Sequence, residues 1–369
     1  MRVLIFNWKD LSNPRSGGAE VYTDRVATEW VKMGHDVTLF CAAVEDLLEH
    51  DLAAGGYNIV RRGTKHSVYR EARRFWLNEG IGNFDLVIDE VNTRPFMTPK
   101  FVKNVPIMAL IHQVCKEVWG YEYPFPISSV GRYILEPKWL SSYRDVLTIT
   151  VSESSKESLE EYGLRNVVVV PEGSDLLRVS PKLFEKEEVP TLIYVGRLSK
   201  NKRPDHAIAA FERVKRDIPS AKMWVVGTGP MESRLRRRAS EDVVFHGRVS
   251  EEEKFELMGR AHALLVTSVR EGWGLVVTEA ASVGTVSIGY DVAGLRDSIA
   301  ASGGLQIEPK TTDLAMKIGH YFDENCAQNV FVDGVVEWSK VAEMILANSE
   351  GALVELQQKP EADSFSPLD

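Results

Sequence analysis

The sequence has few cysteines, no long hydrophobic run and a deficit of positive charge. Its three cysteines, Cys41, Cys115 and Cys326, are an odd number at wide spacings, which argues against a disulfide framework and against a zinc site. Apolar runs such as residues 167–170 are far shorter than the roughly 20 residues that span a bilayer. The formal net charge of −9 is unlike that of a general nucleic-acid binder. We therefore expect reduced cysteines, no transmembrane helix and no nucleic-acid partner.

The remaining composition is that of a soluble globular protein with more than one domain. Hydrophobic residues make up 44% of the chain and charged residues 26%. A length of 369 residues exceeds the size at which one hydrophobic core keeps growing, so we expect two domains with a cleft between them. Met1 is followed directly by a strand-like run rather than by a secretory signal, which predicts a cytoplasmic protein.

One segment, residues 61–77, is basic although the whole chain is acidic. Its cations are interleaved with aromatic residues such as Phe75 and Trp76. Such a segment either lies on an anionic membrane surface or forms a helix whose apolar side packs on the core. The second interpretation is favoured, and peripheral contact with the inner face of a membrane stays open. The cations are Arg61, Arg62, Lys65, Arg70, Arg73 and Arg74.

Short apolar strands alternate with helical patterns throughout the N-terminal half. Strands are predicted at residues 3–6, 35–40, 86–89, 107–111, 146–150 and 167–170. Between the first two, apolar residues recur every three or four positions from Ala19 to Met33, which predicts a helix that Gly34 ends. Fully apolar strands of this length are typical of a buried parallel sheet.

The same alternation restarts after a charged, proline-containing linker at residues 180–190. Strands are predicted at residues 191–195, 223–226, 243–245, 263–267, 286–289 and 304–307. A helix is predicted after Pro204, and the pattern of residues 337–358 is also helical. We therefore predict an α/β protein in which two Rossmann-like, doubly wound domains face each other across a cleft. The predicted domains are residues 1–180 and 187–340, and a C-terminal helix at about 345–358 is expected to pack back on the first.

The strongest functional signal is the segment at residues 268–279, which reads SVREGWGLVVTE. It follows an apolar strand and opens a helix, so its free backbone N–H groups form a site for phosphate. Gly272 and Gly274 let the main chain approach a ligand closely. Glu279 is predicted to accept hydrogen bonds from ribose hydroxyls, and Glu271 to bind or polarise the sugar. The alternative is a helix whose acidic first turn only complements the helix dipole.

This segment resembles the paired-glutamate motif of the GT-B-fold retaining glycosyltransferases of family 4. The resemblance rests on Glu271, Gly272, Trp273, Gly274 and Leu275, and family members usually have Phe in place of Trp273. Further motifs occur in the family's order over roughly residues 1–345. The resemblance implies a GT-B fold and a binding site for a nucleotide sugar, to which these residues contribute.

The segment at residues 194–202, YVGRLSKNK, resembles the family's diphosphate-binding stretch. It follows a predicted strand, and doubly wound sheets bind ligands at the carboxyl ends of their strands. Arg197 can engage two phosphate oxygens at once, and Lys202 adds a point charge. A solvated basic loop is the alternative for this segment taken alone.

Two weaker motifs follow in the C-terminal half. Gly227 and Gly229 are similar to the family's Gly-x-Gly-Pro turn. Arg248 and Val249 stand where the family holds the edge of the nucleobase. Each motif alone is more often structural.

The N-terminal half also contains residues that resemble motifs of this family. Gly17 and Gly18 open the first helix and resemble the family's glycine-rich loop, which faces the donor and the acceptor. His112 follows a predicted strand and matches the histidine that the family places beside the donor sugar, although a lone histidine there is more often structural. Family members often have Asn in place of Glu172, which leaves the role of this position open.

The resemblance implies a retaining glycosyltransferase that needs no cofactor and no metal ion. No Asp-x-Asp sequence is present to anchor a metal-bound diphosphate. Arg197, Lys202 and the helix after Glu271 are therefore expected to neutralise the departing diphosphate, with His112 and Glu271 as the other catalytic residues. The expected donor is a UDP- or GDP-sugar, and the acceptor is a sugar or a lipid-linked molecule. A nucleotide-sugar epimerase and a non-catalytic nucleotide-sugar-binding protein remain alternatives.

Overall fold

The computed structural model of the protein describes residues 1–14, 16–174, 184–324 and 336–358, with residues 350–358 described as helical backbone only. Arg15, Asp175, Cys326, the part of the predicted linker before residue 184 and the tail from Lys359 lie outside the described residues.

The N-terminal domain is built on one sheet. Its strands are β1 (Arg2–Phe6), β2 (Asp36–Cys41), β3 (His50–Leu52), β4 (Asn58–Arg61), β5 (Leu86–Glu90), β6 (Ile107–Leu110), β7 (Leu147–Thr150) and β8 (Val167–Val169). They lie in the order β3-β4-β2-β1-β5-β6-β7-β8. All neighbours pair in parallel except β3, which is antiparallel to β4.

Helices and single turns connect these strands. The helices are α1 (Gly18–Lys32), α2 (Val68–Phe75), α3 (Trp119–Glu122), α4 (Ile127–Val130), α5 (Glu136–Leu140) and α6 (Glu153–Glu161). π-Helical turns lie at Trp76–Gly80 and Gly131–Leu135, and 3-10 turns at Thr98–Lys100, Lys116–Val118 and Ser141–Tyr143.

The C-terminal domain repeats the design with a fully parallel sheet. Its strands are β10 (Thr191–Val195), β11 (Lys222–Val226), β12 (Val243–Gly247), β13 (Ala263–Val266), β14 (Val286–Tyr290) and β15 (Leu305–Ile307), in the order β12-β11-β10-β13-β14-β15. Its helices are α7 (Pro204–Asp217), α8 (Glu232–Arg236), α9 (Glu251–Arg260), α10 (Leu275–Ser282), α11 (Leu295–Ala301) and α12 (Thr311–Asp323), and a 3-10 turn at Lys200–Lys202 precedes α7.

The inner strands of both sheets are largely buried on both faces, which explains why they contain consecutive apolar residues. In β1, Val3 and Ile5 belong to one hydrophobic cluster while Leu4 and Phe6 belong to another on the opposite face. The strand order reverses at β1 and at β10, so each sheet has a crevice at the carboxyl end of its central strand. These two crevices hold the candidate site.

The end of the chain returns to the N-terminal domain. Two short strands, β9 (Gly173–Ser174) and β16 (Val336–Glu337), pair in parallel just before α13 (Trp338–Gln358). Trp338 and Ile345 are buried in the same cluster as Val3, and the indole N–H of Trp30 donates to the carbonyl of Ala342 at 3.0 Å.

The predicted fold class is confirmed, and all of the predicted strands are present with ends displaced by at most two residues. The prediction missed β3, β4 and the two-residue strands β9 and β16. β3 is exposed at all three positions, so it has no apolar pattern to reveal it. It lies at the edge of the sheet, where it pairs with only one other strand, β4.

Residues 61–77 are predicted to form a basic surface, and this prediction is wrong for Arg61. This side chain is buried at the end of β4, where Nε lies 2.7 Å from Oδ2 of Asp10 and Nη1 lies 2.8 Å from Oδ2 of Asp51. The two carboxylates compensate a charge that would be costly to bury alone. In the rest of the segment, Phe75 and Trp76 are buried in a core cluster. The structure therefore supports the interpretation in which the apolar side packs on the core.

No helix in the described part of the chain combines the length and the apolar character needed to cross a bilayer.

Candidate functional site

A cavity of about 600 Å³ lies between the carboxyl ends of the two sheets. This volume is in the range of sites for nucleotide-sized ligands. Residues of both domains line it, and many of the predicted site residues meet there. Those that line it are Gly17, Gly18, His112, Arg197, Lys202, Glu271, Gly272, Trp273, Gly274 and Leu275. The predicted residues Gly227, Gly229, Arg248, Val249 and Glu279 do not line it.

Two helices point their N-termini at the cavity. α1 begins at Gly18, and the backbone N–H of Gly17 donates to Oε2 of Glu20 at 2.7 Å. α10 begins at Leu275 after Gly274, whose φ of +92° favours glycine. A Cβ on Gly18 would lie only 3.4 Å from Cδ1 of Leu275, so the two helix starts are in contact across the cleft. Their unpaired N–H groups and partial positive charges favour an anion between them.

Trp273 crosses from one domain to the other. Although it belongs to the C-terminal domain, its partly buried ring packs against the hydrophobic cluster of the N-terminal domain. The Trp273 side chain therefore forms part of the contact between the two domains.

The predicted phosphate-binding cations lie on the C-terminal wall. Arg197 follows β10 and is exposed, and none of the ion pairs found among the described residues involves it. Lys202 ends the 3-10 turn before α7 and pairs with Oε1 of Glu271. The same Oε1 accepts a hydrogen bond from Oγ of Ser268 at 2.6 Å. Lys202 is predicted to bind phosphate and Glu271 to bind the sugar, and the two side chains are in direct contact.

Backbone contacts hold these two loops together. The N–H of Val269 donates to the carbonyl of Asn201 at 2.8 Å, and Oγ1 of Thr267 donates to the carbonyl of Arg203 at 2.8 Å. The Lys202 turn and the Glu271 loop are therefore one unit, although they are 69 residues apart.

Three glutamates surround His112 on the N-terminal wall. Nδ1 of His112 lies 3.4 Å from Oε1 of Glu172, and Nε2 lies 4.0 Å from Oε1 of Glu90. Glu20 stands behind them and pairs with Nζ of Lys9 at 2.9 Å. All three glutamates have one buried oxygen without a hydrogen-bond partner in the described structure. A polar ligand entering the cavity could satisfy the atoms of Glu20 and Glu172, which line it.

Burial and charge together set the protonation of this cluster. Burial alone would lower the pKa of His112, but Glu172, Glu90 and Glu20 outweigh it and the pKa is raised. Burial raises the pKa of Glu90 to about 7, against the opposing effects of His112 and of the hydroxyl of Thr23. The neighbouring glutamates therefore favour the charged form of the imidazole ring, while burial favours the protonated form of Glu90.

Gly227 and Gly229 support the phosphate-binding loop from behind. A Cβ on Gly227 would lie 2.1 Å from the carbonyl oxygen of Gly196, and one on Gly229 would lie 2.5 Å from that of Leu198. Neither space can hold a side chain unless the backbone moves. Their contacts are with the backbone next to Arg197, so they shape the loop from behind rather than line the cavity.

The other predicted residues outside the cavity differ in their surroundings. Arg248 is exposed, while Val249 packs against the core of the C-terminal domain. Glu279, one turn into α10, pairs with Nζ of Lys254 at 3.0 Å. Burial raises the pKa of Glu279, and Lys254 opposes this effect.

Hydrogen bonds fasten the Glu271 loop and the N-cap of α11 to the start of α6. Oγ of Ser152 donates to the carbonyl of Gly272 at 2.8 Å, and the N–H of Gly294 donates to Oγ of Ser154 at 2.6 Å. Arg270, which is nearly buried, reaches Oε2 of Glu117 at 3.1 Å from the other domain. These contacts join the two domains beside the cleft.

Sequence reasoning missed Glu90 and Lys254. Glu90 is the last residue of β5, and its position at a strand end beside the cleft was the available signal. Lys254 lies on α9 among exposed glutamates, and no motif distinguishes it from a surface lysine. Within the described residues, no group of three or more His, Cys, Asp or Glu is arranged to hold a metal ion.

Two family models match adjacent parts of the chain. Residues 16–178 match "Glycosyltransferase Family 4", and residues 178–332 match "Glycosyl transferases group 1". The boundary between them lies next to the passage from one sheet to the other.

Curated and solved relatives are similar over most of the chain. A GDP-mannose-dependent alpha-(1-6)-phosphatidylinositol dimannoside mannosyltransferase of Mycobacterium tuberculosis is 25% identical over 315 residues, which cover 79% of this chain and 80% of the relative. Sucrose-phosphate synthase from Thermosynechococcus elongatus has a TM-score of 0.78 at 16% identity, covering 96% of this chain and 99% of the other. HepE of Anabaena, solved with UDP-glucose, has a TM-score of 0.71 at 15% identity, with 95% and 100% covered.

Proposed function

The chain belongs to the family 4 glycosyltransferases of the GT-B fold and acts on a nucleotide sugar, and we propose that it transfers the sugar with retention of the anomeric configuration. We further propose that the protein's own cations, rather than a metal ion, neutralise the diphosphate. The acceptor supplies a hydroxyl group.

One observation carries this proposal. Arg197 and Lys202 line the same cavity as the N-termini of α1 and α10, so four sources of positive potential converge on one volume. A diphosphate is the part of a nucleotide sugar that needs such an environment. His112 and Glu271 flank the same volume, where hydroxyl groups of the sugar would find partners.

The proposed reaction needs no nucleophile from the protein. The bond between the anomeric carbon and the diphosphate oxygen breaks, and the acceptor oxygen forms its bond on the same face of the sugar. The proton of the acceptor hydroxyl passes to the departing phosphate oxygen. Arg197, Lys202 and the N–H groups of α10 stabilise the negative charge that develops there. Closure of the cleft aligns the two substrates, and this positioning lowers the barrier further.

Retention is tested on the product. UDP-, GDP- and ADP-sugars are first screened by thermal shift, because a ligand at 100 times its Kd stabilises the fold by about 2.7 kcal/mol. The sugar nucleotide selected in this way is then turned over with an acceptor, and the new glycosidic bond is examined by NMR. We expect the anomeric configuration of the donor to be kept. An inverted product would exclude the same-face mechanism.

Metal independence is tested with a chelator. We expect turnover to be unchanged in excess EDTA, because the cations that the reaction needs are side chains and backbone N–H groups. Loss of turnover in EDTA that magnesium or manganese restores would contradict the proposal. Donor binding, measured under both conditions, separates a metal needed for binding from one needed for chemistry.

The acceptor is proposed to be a sugar or a lipid-linked molecule. The mycobacterial relative is named for a phosphatidylinositol dimannoside, which is a glycolipid, and this supports a lipid-linked acceptor here. Incubating the donor with and without an acceptor distinguishes a transferase from an epimerase and from a non-catalytic binding protein. An epimerase would convert the donor alone, while a non-catalytic binder would leave it unchanged even with an acceptor present.

A further inference from the structure

Glu172 is a carboxylate in the wall of the cavity with one oxygen left unpaired. Its side chain is only 7% exposed, yet it lines the cavity. Oε1 lies 3.4 Å from Nδ1 of His112, and Oε2 has no hydrogen-bond partner in the part of the chain that the structure describes. A buried oxygen without a partner costs free energy, so a ligand that donates a hydrogen bond to it recovers that cost. Family members often have Asn at this position, which makes the carboxylate a feature that distinguishes this chain.

The main chain on both sides of Glu172 is fixed. Before it, the N–H of Val170 donates to the carbonyl of Thr150 at 2.8 Å, which ties the segment to the end of β7. After it, Gly173 pairs in β9 with β16, and a Cβ on Gly173 would lie 2.4 Å from Cδ2 of Trp338. The carboxylate is therefore presented to the cavity by a rigid part of the fold.

The position of Glu172 corresponds to the sugar rather than to the diphosphate. A Cβ on Gly272 would lie 2.9 Å from the carbonyl oxygen of His112, so the loop that carries Glu271 is packed against the residue that Glu172 contacts. The diphosphate is proposed to bind at the other end of this loop unit, beside Lys202. A sugar attached to that diphosphate would lie between Glu271 and His112, within reach of Glu172.

The unpaired side-chain oxygens of this wall can only accept hydrogen bonds. They are Oε2 of Glu172, Oε1 of Glu20 and Oε1 of Gln113, and all three residues line the cavity. A hydroxyl group of a sugar can donate to such an oxygen, and a bond to a charged acceptor is stronger than one between neutral groups. A carboxylate or phosphate on the sugar has no proton to donate and would be repelled by Glu20 and Glu172.

We propose that Glu172 is a specificity-determining residue that accepts a hydrogen bond from a hydroxyl group of the transferred sugar. This inference rests on the proposed function and identifies the chemical group that this part of the site recognises. The donor then carries a free hydroxyl group, rather than an anionic substituent, at the position of the sugar that faces Glu172. Oε1 keeps its contact with His112 while Oε2 accepts from the sugar.

The test combines variants of Glu172 with sugars that lack one hydroxyl group. The probe is whichever of UDP-glucose, UDP-N-acetylglucosamine, GDP-mannose and ADP-glucose binds the wild type most tightly, together with its monodeoxy forms and its nucleoside diphosphate. We expect the wild type to bind one monodeoxy form about 10- to 100-fold more weakly than the parent, the usual effect of losing a charged hydrogen bond. Calorimetry on the full chain measures each affinity.

The two variants should change this penalty in a graded way. Glu172→Met should bind the parent and the same monodeoxy form with equal, reduced affinity, because the hydrogen bond is already lost in the variant. Glu172→Gln keeps the size of the side chain and one acceptor oxygen, so its penalty should be reduced but not abolished. This second variant decides the question if the first does not fold. The affinity for the nucleoside diphosphate should be the same in all of them.

Glu122→Gln is the matched control. Glu122 also lines the cavity and carries the same charge, but its side chain is exposed to solvent. We expect this variant to bind the parent and every monodeoxy form as the wild type does. An equal reduction of the penalty in Glu122→Gln and Glu172→Gln would overturn the proposal, since negative charge in general, rather than a contact of Glu172, would then select the sugar.

Two further results would overturn the inference. One is a wild type that binds the parent and all monodeoxy forms equally tightly. The other is a loss in the Glu172 variants that is the same for every form of the sugar, which would mean that Glu172 only holds His112 in place. A chain that binds none of the nucleotides would instead overturn the proposed function itself, so the two failures are distinguishable.

Discussion

Lys202→Ala is expected to weaken the binding of a nucleoside diphosphate by about 1.5–3 kcal/mol, the usual cost of losing a charged hydrogen bond. Two effects act in the same direction. The phosphate loses a cation, and Glu271, which is paired with Lys202 in the cavity, is left as an uncompensated negative charge facing the ligand. Isothermal titration calorimetry with UDP and GDP measures the loss.

The neighbouring lysine is a matched control for this prediction. Lys200 lies in the same 3-10 turn and is exposed, but it does not line the cavity. Lys200→Ala should therefore leave the affinity nearly unchanged. Equal losses in both variants would show that general positive charge, rather than a phosphate contact, attracts the nucleotide.

A second comparison separates binding from turnover. Glu271→Gln removes the negative charge and leaves Lys202 free to face the phosphates. Affinity for the nucleoside diphosphate should then be kept or increased, while sugar transfer should fall because the carboxylate that is proposed to bind the sugar is lost. An affinity loss as large as that of Lys202→Ala would contradict this division.

The fold could be predicted from the sequence because burial on both faces of a parallel sheet leaves a direct pattern. The strands around β1 and β10 are apolar at consecutive positions, and the sequence shows this without any knowledge of their partners. β3 escaped because it is exposed and antiparallel at an edge. Arg61 was misplaced for a related reason, since a buried arginine and a surface arginine look the same until the carboxylates that pair with it are known.

Those parts of the candidate site that form a continuous sequence motif could be predicted. Contacts between residues that are distant in the sequence could not. The loop around Glu271 and the turn around Lys202 are each continuous in sequence, so both were recognised. Their contact with each other spans 69 residues and was not. The cluster around His112 takes one glutamate each from α1, from the end of β5 and from the segment before β9, and no spacing rule connects these positions.

The titratable groups around His112 lower the free energy of unfolding as the pH rises. Glu90 has a pKa of about 7 in the folded chain against 4.5 as its ordinary value. Between these two values the folded chain binds a proton that the unfolded chain has released. Stability contributed by such a group is present at low pH and is lost as the pH rises through about 7. The raised pKa of His112 acts in the same direction, because the folded chain also retains this proton longer.

Glu90→Gln is therefore expected to stabilise the protein at pH 8 while leaving it close to the wild type at pH 5. The shift of Glu90 corresponds to about 3 kcal/mol, and the loss of one carboxylate beside His112 offsets part of it, so we expect a gain of about 1–3 kcal/mol at pH 8. Glutamine keeps an oxygen that can accept the 2.6 Å hydrogen bond from Thr23. The gain is measured as the difference in free energy of unfolding between variant and wild type in urea at several pH values.

The adjacent aspartate provides the contrast that makes the result interpretable. Asp89 is equally buried, but both of its oxygens accept hydrogen bonds, from the N–H groups of Phe96 and Thr98, each at 3.1 Å. Asp89→Asn should destabilise the fold already at pH 5, because an amide has only one oxygen to accept these bonds. If Glu90→Gln behaved like Asp89→Asn, or if its effect did not grow between pH 5 and pH 8, Glu90 would be an ordinary satisfied carboxylate. A gain that grows with pH would instead mean that the chain retains, at a cost in stability, a carboxylate with a buried unpaired oxygen beside His112, which is where the sugar is proposed to bind.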